Sequence, residues 1–235
     1  MGRKRKLEHF AEMKTFPHVF EPKLDEVFRA EYRLNGNWNN EVFKNDNPIV
    51  LELGCGKGEY SVGMARKFPN KNFIGVDIKG ARMWRGAKTA LDEGLSNVAF
   101  LRTRIEFIEG CFSKNEIDEI WITFPDPQPK DRREKKRLTG PLFIKRYLTF
   151  LKPDGIIHLK TDSEFFYNWS LSEVKRHEYE ILEETDNLYA DRISALDQTT
   201  QEILSIKTHY EELFTKKGHH IHYLKFKPNG KDPKD

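Results

Sequence analysis

The stretch that most constrains this chain runs from Val50 to Gly58, Val-Leu-Glu-Leu-Gly-Cys-Gly-Lys-Gly, where a short apolar run meets three glycines at alternate positions. The residues after it carry an amphipathic pattern through Tyr60, Met64, Ala65 and Phe68, which predicts strand, glycine loop and helix. Glycine supplies positive φ and lets a backbone approach a ligand with no Cβ in the way. A second apolar run, Phe73-Ile74-Gly75-Val76, ends in Asp77, about 20 residues past the loop, where the first crossover of a doubly wound sheet sets an acid against a ribose. The unit reads as a nucleoside-binding βαβ. Its spacing, Glu-x-Gly-x-Gly-x-Gly, lacks both the Gly-x-Gly-x-x-Gly of dinucleotide sites and the Gly-Lys-Ser/Thr ending of a phosphate loop, which favours S-adenosylmethionine over NAD or ATP.

With 235 residues, 37 % apolar and 33 % charged, the chain is expected to form one α/β domain with a heavily solvated surface. No apolar run approaches the length of a membrane span, and the basic start lacks a secretory pattern, so a cytoplasmic protein with no membrane partner is expected. Cys55 and Cys111 are too few for a disulfide framework, and His219, His220 and His222 have no acid or cysteine at ligand spacing, so no metal is expected. Residues 1–45 read as a basic arm with anchoring aromatics and no confident strand, 46–228 as the folded domain, and 229–235 as a polar tail with no fold of its own.

Along the domain, strands are expected near Ile49 to Leu53, Asn72 to Asp77, Val98 to Leu101, Glu119 to Phe124, Ile156 to Lys160, Tyr179 to Glu183 and His220 to Phe226. Met83, Trp84, Ala87, Ala90 and Leu91 fall at helical spacing before Gly94, with Trp84 expected in the core. Further helices are expected over Pro141 to Leu151, from Asp162 or Ser163 as cap to His177, and over Thr208 to Lys217; Lys152 to Gly155 reads as a turn, and 186–205 is hard to place.

Pro125-Asp126-Pro127-Gln128-Pro129 follows the strand ending at Phe124, and three prolines predict a rigid loop holding Asp126 at a carboxyl edge beside the methyl donor. The backbone at Arg104 and Ile105, after the third strand, is expected to meet adenine. Net charge is only +3, but Arg3 to Lys6 form a basic tail, and Lys130, Arg132, Arg133, Lys135, Lys136 and Arg137 crowd one loop, as a polyphosphate backbone would attract.

In combination these motifs resemble the bacterial tRNA (guanine-N7-)-methyltransferases, from Glu52 to the last strand. The resemblance rests on Leu-Glu-Leu-Gly-Cys-Gly-Lys-Gly at 51–58, Phe-Pro-Asp-Pro at 124–127 with Lys130 and Lys-Lys-Arg-Leu at 135–138, Leu-Lys-Thr-Asp at 159–162, and Thr-His-Tyr-Glu at 208–211. It implies a class I S-adenosylmethionine-dependent methyltransferase fold, a mostly parallel doubly wound sheet with helices on both faces. It also implies S-adenosylhomocysteine as by-product, tRNA as partner, and N7-methylguanosine in the variable loop as product. Glu52, Gly54, Gly56, Asp77, Arg104, Ile105 and Asp126 would hold the donor, Asp126 would also be catalytic, and Lys130, Asp162, Thr208 and Glu211 would bind substrate. Gln128 stands where the family usually has tryptophan, and Arg104 where it usually has an acid. A monomer or homodimer fits equally. The competing readings are an amino methyltransferase, whose loop would need a second consecutive proline and an aromatic, and a nucleic-acid-binding protein with a decayed donor site.

Overall fold

A computed structural model of the chain describes residues 3–208, 211 and 218–234. The chain divides into two compact units, Met1–Ser113 and Lys114–Asp235.

In the first unit, helix α1 (Arg3–Met13), strand β1 (Val19–Phe20) and helix α2 (Leu24–Phe28) precede an alternating run. That run is β2 (Ile49–Leu53), α3 (Glu59–Lys67), β3 (Asn72–Val76), α4 (Gly80–Asp92) and β4 (Val98–Leu101). The strands lie parallel in the order β1-β4-β3-β2. Every residue of β2, β3 and β4 is buried, which is why these strands read as continuous apolar runs and not as alternating ones. Leu53 pairs with Val76 and Val76 with Leu101, so the three strands end in line, and the residues after them emerge on one edge.

The arm is more structured than its sequence suggested. Val19 and Phe20 pair with Phe100 and Leu101, adding a strand where none was expected. Trp84 is only half-buried and not in the core: its ring stacks on His9 at 3.8 Å, and its indole N–H donates to Glu12 at 2.8 Å, so it anchors α1 to α4. The fully buried tryptophan of this unit is instead Trp38, from the arm, whose N–H donates to the Cys111 carbonyl at 3.0 Å.

The second unit holds β5 (Ile117–Thr123), α5 (Pro141–Tyr147), β6 (Leu151–Thr161), α6 (Glu164–Arg176), β7 (Glu180–Thr185), α7 (Gln198–Leu204) and β8 (His222–Lys227). Their order is β5-β6-β8-β7, with β5 and β6 parallel and β8 antiparallel to both neighbours. The helix from Pro141 stops at Tyr147, four residues short of expectation, because Leu151 already pairs with Ile117 in the sheet. The expected turn at Lys152 to Gly155 is a bulge inside β6: Glu119, two residues after Ile117, pairs with Ile156, five after Leu151. Between Asp186 and Ser205 lie two short helical segments (Leu188–Arg192, Ile193–Ala195) and α7, capped by Asp197, whose carboxylate accepts from the Thr200 N–H. The tail is tied down: the Lys234 N–H donates to His177 Nδ1 at 2.9 Å and Asn229 to Glu180 at 3.1 Å. The expected helix over 208–217 falls, Thr208 and Glu211 apart, outside the described residues. Among the described residues no helix is long and apolar enough to cross a membrane.

Loop and helix meet backbone to backbone at Gly58 and Gly86. A Cβ built on Gly86 would lie 2.6 Å from the Lys57 carbonyl oxygen and 2.8 Å from the Gly58 Cα, with no flexible side chain to move aside. Gly86→Ala is therefore expected to lower the urea midpoint and cost about 1 to 3 kcal/mol of stability by overpacking. An unchanged midpoint would show that α4 can retreat freely from the loop.

Candidate active site

In the first unit the glycine loop is fastened to β3, with the N–H groups of Gly54 and Cys55 donating to the Val76 carbonyl at 2.8 and 3.1 Å. Gly54, Gly56 and Gly58 all have positive φ, at 77°, 54° and 70°, where a side chain is strained. Their missing Cβ atoms tell them apart. At Gly58 the space is filled by the Phe100 ring, whereas at Gly54 nothing lies within 4 Å and at Gly56 only the Gly54 carbonyl comes that close. The first two glycines thus offer open backbone to a ligand and the third serves packing.

Asp77 is half-buried and joins the loop to the next helix, one carboxylate oxygen accepting from the Gly56 N–H at 2.9 Å and the other from the Lys79 N–H at 2.7 Å. Each oxygen has a further lone pair for a ribose hydroxyl. Glu52 is buried, and its carboxylate accepts from the Ser61 N–H at 2.8 Å and hydroxyl at 2.5 Å, answering a first-turn N–H of α3 that has no partner inside the helix. Arg104 is exposed and Ile105 half-buried, three and four residues beyond the end of β4. Burial pushes the Cys55 thiol well up, helped by Glu52 and Asp77, so it remains an unreactive thiol beside the loop.

In the second unit the loop after β5 holds Asp126 exposed, with its carboxylate accepting from the Gln128 N–H at 3.2 Å. Phe124 and Gln128, flanking it, both sit at φ 47°, left-handed backbone that side chains avoid and that persists only where the surroundings impose it. Arg137 imposes part of it. Counted with the basic run in the sequence, this residue is buried: its Nε donates to the Gln128 carbonyl at 3.2 Å, and its guanidinium lies 4.5 Å over Trp169 and 4.9 Å over Phe165. It is a loop fastener, a role that a run of like charges conceals. Lys130, Arg132, Arg133, Lys135 and Lys136 are exposed, the last four on a short 3-10 segment, Asp131–Lys136.

Ser163 caps α6 by accepting from the Phe166 N–H, which leaves Asp162 outside the cap. Asp162 lines a cavity of about 450 Å³ with Tyr167, Asp186, Gly218, His220 and His222. Thr208 accepts from the Glu211 N–H at 3.2 Å. Glu211 is fully buried, paired with the equally buried Lys160 at 2.9 Å and accepting from the Tyr189 hydroxyl. Nothing in the Leu-Lys-Thr-Asp motif marked Lys160 apart, although a lysine inside an apolar strand is itself a signal that a buried anion awaits it.

Residues 46–224 match a family model described as "Putative methyltransferase". The chain is 52% identical over 227 residues to a tRNA (guanine-N(7)-)-methyltransferase of Christiangramia forsetii, covering 97% of this chain and 99% of that one. It is 50% identical over 224 residues to another from Bacteroides thetaiotaomicron, covering 95% and 86%. A solved structure of the 16S rRNA methyltransferase KamB aligns with a TM-score of 0.59 and 14% identity over 80% of this chain and 90% of that one. The wound parallel strands, the open glycine loop and the acid after the second wound strand are those of a class I methyltransferase. At the level of sequence the assignment is narrower, and the chain belongs to the tRNA (guanine-N(7)-)-methyltransferase family.

Burial pushes the Lys160 ammonium down from its ordinary 10.5 to about 8, with Glu211 opposing the shift. Below that pH the folded and unfolded chains both hold the proton; above it, up to 10.5, only the unfolded chain does, so this group makes stability rise with pH across the window. Urea unfolding of the wild type is expected to gain on that of Lys160→Met from pH 8 to roughly 9.5, by at most about 1.4 kcal/mol per pH unit. Parallel curves would place the titration of Lys160 elsewhere.

Proposed function

We propose that this protein transfers the methyl group of S-adenosylmethionine to N7 of a guanine in the variable loop of tRNA, giving N7-methylguanosine and S-adenosylhomocysteine. The observation that carries this reading is 52% identity over 97% of the chain to a curated enzyme of that name. The open backbone at Gly54 and Gly56 and the two-point placement of Asp77 support a donor with a nucleoside half. In this reading Asp77 accepts from the ribose hydroxyls, Glu52 keeps the loop in place through Ser61, and the backbone at Arg104 and Ile105 meets adenine. We place the enzyme in the cytoplasm, as a monomer or homodimer.

The donor supplies an electrophilic methyl on a sulfonium, and guanine N7 takes it with a lone pair it already has, so no base is needed and no proton leaves. Positive charge passes from sulfur to the guanine ring, and the ring N–H groups become more acidic. A carboxylate that accepts from that edge binds the transition state more tightly than the ground state, which raises rate as well as affinity. Asp126 takes this role, exposed on a loop whose strained backbone fixes its direction. Lys130, Asp162 and Thr208 serve the substrate side, and the exposed cations from Arg132 to Lys136 hold phosphates.

Nucleoside analysis after incubation of unmodified tRNA with labelled donor is expected to show N7-methylguanosine; label on an amine nitrogen would overturn the assignment. Asp126→Asn should lower kcat with little change in KM for tRNA, whereas a variant with full kcat would remove Asp126 from the mechanism.

Phosphate contacts release counterions, so the slope of log affinity against log salt counts them at about 0.7 to 0.9 per contact. Neutralising Arg132, Arg133, Lys135 and Lys136 together should weaken all tRNAs alike and flatten that slope by about 2 to 4 units. Arg137 is left intact, because its loss would free the Gln128 backbone and confuse folding with binding. If binding persists with an unchanged slope, the backbone is held elsewhere.

A further inference from the structure

We propose that Lys160, Glu211 and Tyr189 form a buried latch that positions Thr208 and Glu211 against the end of β6, with Glu211 a positioning residue and not a contact to the guanine. The inference rests on the tRNA reading above and departs from what family resemblance alone implies for Glu211.

Lys160 and Glu211 are both 0% exposed. The Lys160 ammonium lies 2.9 and 3.0 Å from the two Glu211 oxygens, and also donates to the carbonyls of Leu204 at 2.9 Å and Ile206 at 3.3 Å. The Tyr189 hydroxyl donates to Glu211 and reaches the Leu204 carbonyl at 3.3 Å. A carboxylate held between an ammonium and a phenol has no exposed oxygen to offer, so a guanine could reach it only by displacing one of them.

Thr208 fits the same account. Threonine followed three residues later by glutamate is the pattern that opens a helix, and the Thr208 hydroxyl accepts from the Glu211 N–H. In a capping box the glutamate would turn back to the threonine N–H; here it turns inward to Lys160. The latch thereby joins three places: the end of β6 at Lys160, the exit of α7 at Leu204, and the Asp126 loop. The last link runs through Phe124, whose N–H donates to the Lys160 carbonyl at 2.8 Å and whose ring lies 5.8 Å from the ammonium. Lys207 is the other cation nearby, 5.3 Å over the Tyr189 ring, and it opposes the charge on Lys160. Asp162, two residues past Lys160, lines the cavity described above, so the lysine that holds Glu211 lies next to the substrate side of the site.

The test compares Lys160→Met, Glu211→Ala and the paired apolar replacement Lys160→Met/Glu211→Leu, using unmodified tRNA and S-adenosylmethionine. Each single change strands a buried charge or leaves its partners unmatched, and is expected to raise KM for tRNA by about tenfold or more. Donor affinity, read by calorimetry, is expected to stay within about twofold, since its residues lie on other elements. The paired replacement removes both charges and is expected to return KM to within about threefold of wild type. Glu211→Gln, whose amide oxygen can still accept from Lys160, is expected to keep most activity, with its fold checked by circular dichroism. A paired variant as impaired as Glu211→Ala, or a Glu211→Gln variant that binds tRNA but no longer methylates it, would overturn the latch and place Glu211 on the base. Single variants that lose thermal stability with an unchanged KM would also overturn it, as a purely structural pair. Failure of the wild type to methylate guanine N7 is a separate result, which defeats the reading of function and the latch with it.

Discussion

Two backbone hydrogen bonds, from Gly54 and Cys55 to the Val76 carbonyl, hold much of the first unit's chemistry in place. They turn the chain sharply off β2 and seat the loop at the end of β3, so that Asp77, the next residue of β3's chain, can accept from Gly56. Glu52 depends on the same turn, because only a loop folded back this tightly brings the first turn of α3 within reach of a carboxylate still inside β2. A buried carboxylate is costly unless its oxygens are matched, and Ser61 matches one of them twice. The glycines follow as a consequence: positive φ at all three is the backbone path that makes these bonds possible.

Legibility in the sequence follows the range of the interactions. Strands β2, β3 and β4 are readable to within a residue, since burial on both faces makes mostly apolar runs that stop at Gly54, Asp77 and Arg102. The glycine loop and Asp77 were readable because one local turn sets their spacing. What failed depended on partners distant in sequence. Nothing local says that Val19 and Phe20 will pair with β4, that Trp84 will face α1, or that β6 will absorb four residues as a bulge opposite Asp118. Asp162 and Ser163 both suit the cap of α6 by residue type, and it is Ser163 that accepts from the Phe166 N–H.

The cations show the same limit in a sharper form. Six basic residues between Lys130 and Arg137 are alike as letters, yet Arg137 is 2% exposed and fastened to Gln128, Trp169 and Phe165, while the rest stand in solvent. Guanidinium tolerates this burial because its flat, weakly hydrated face stacks on aromatics while its edge donates. The difference divides the run by task. One arginine keeps the Asp126 loop in its left-handed turn, and its neighbours remain available to an anionic partner.

Lys160 carries that division into the interior. An ammonium buried in a strand can be kept only by an anion that arrives from elsewhere in the chain, and Glu211 arrives from 51 residues away. Such a pair adds little net stability, since the cost of desolvating both charges offsets their attraction, but it strongly disfavours every arrangement in which either is alone. A pair of that kind selects a register, and here the register it selects is that of Thr208 and Glu211 against the strand that ends at Thr161. The strained loop at Phe124 is bonded to the same lysine's carbonyl. One residue of β6 therefore bonds both sides, the loop bearing Asp126 through its carbonyl and Glu211 after α7 through its ammonium.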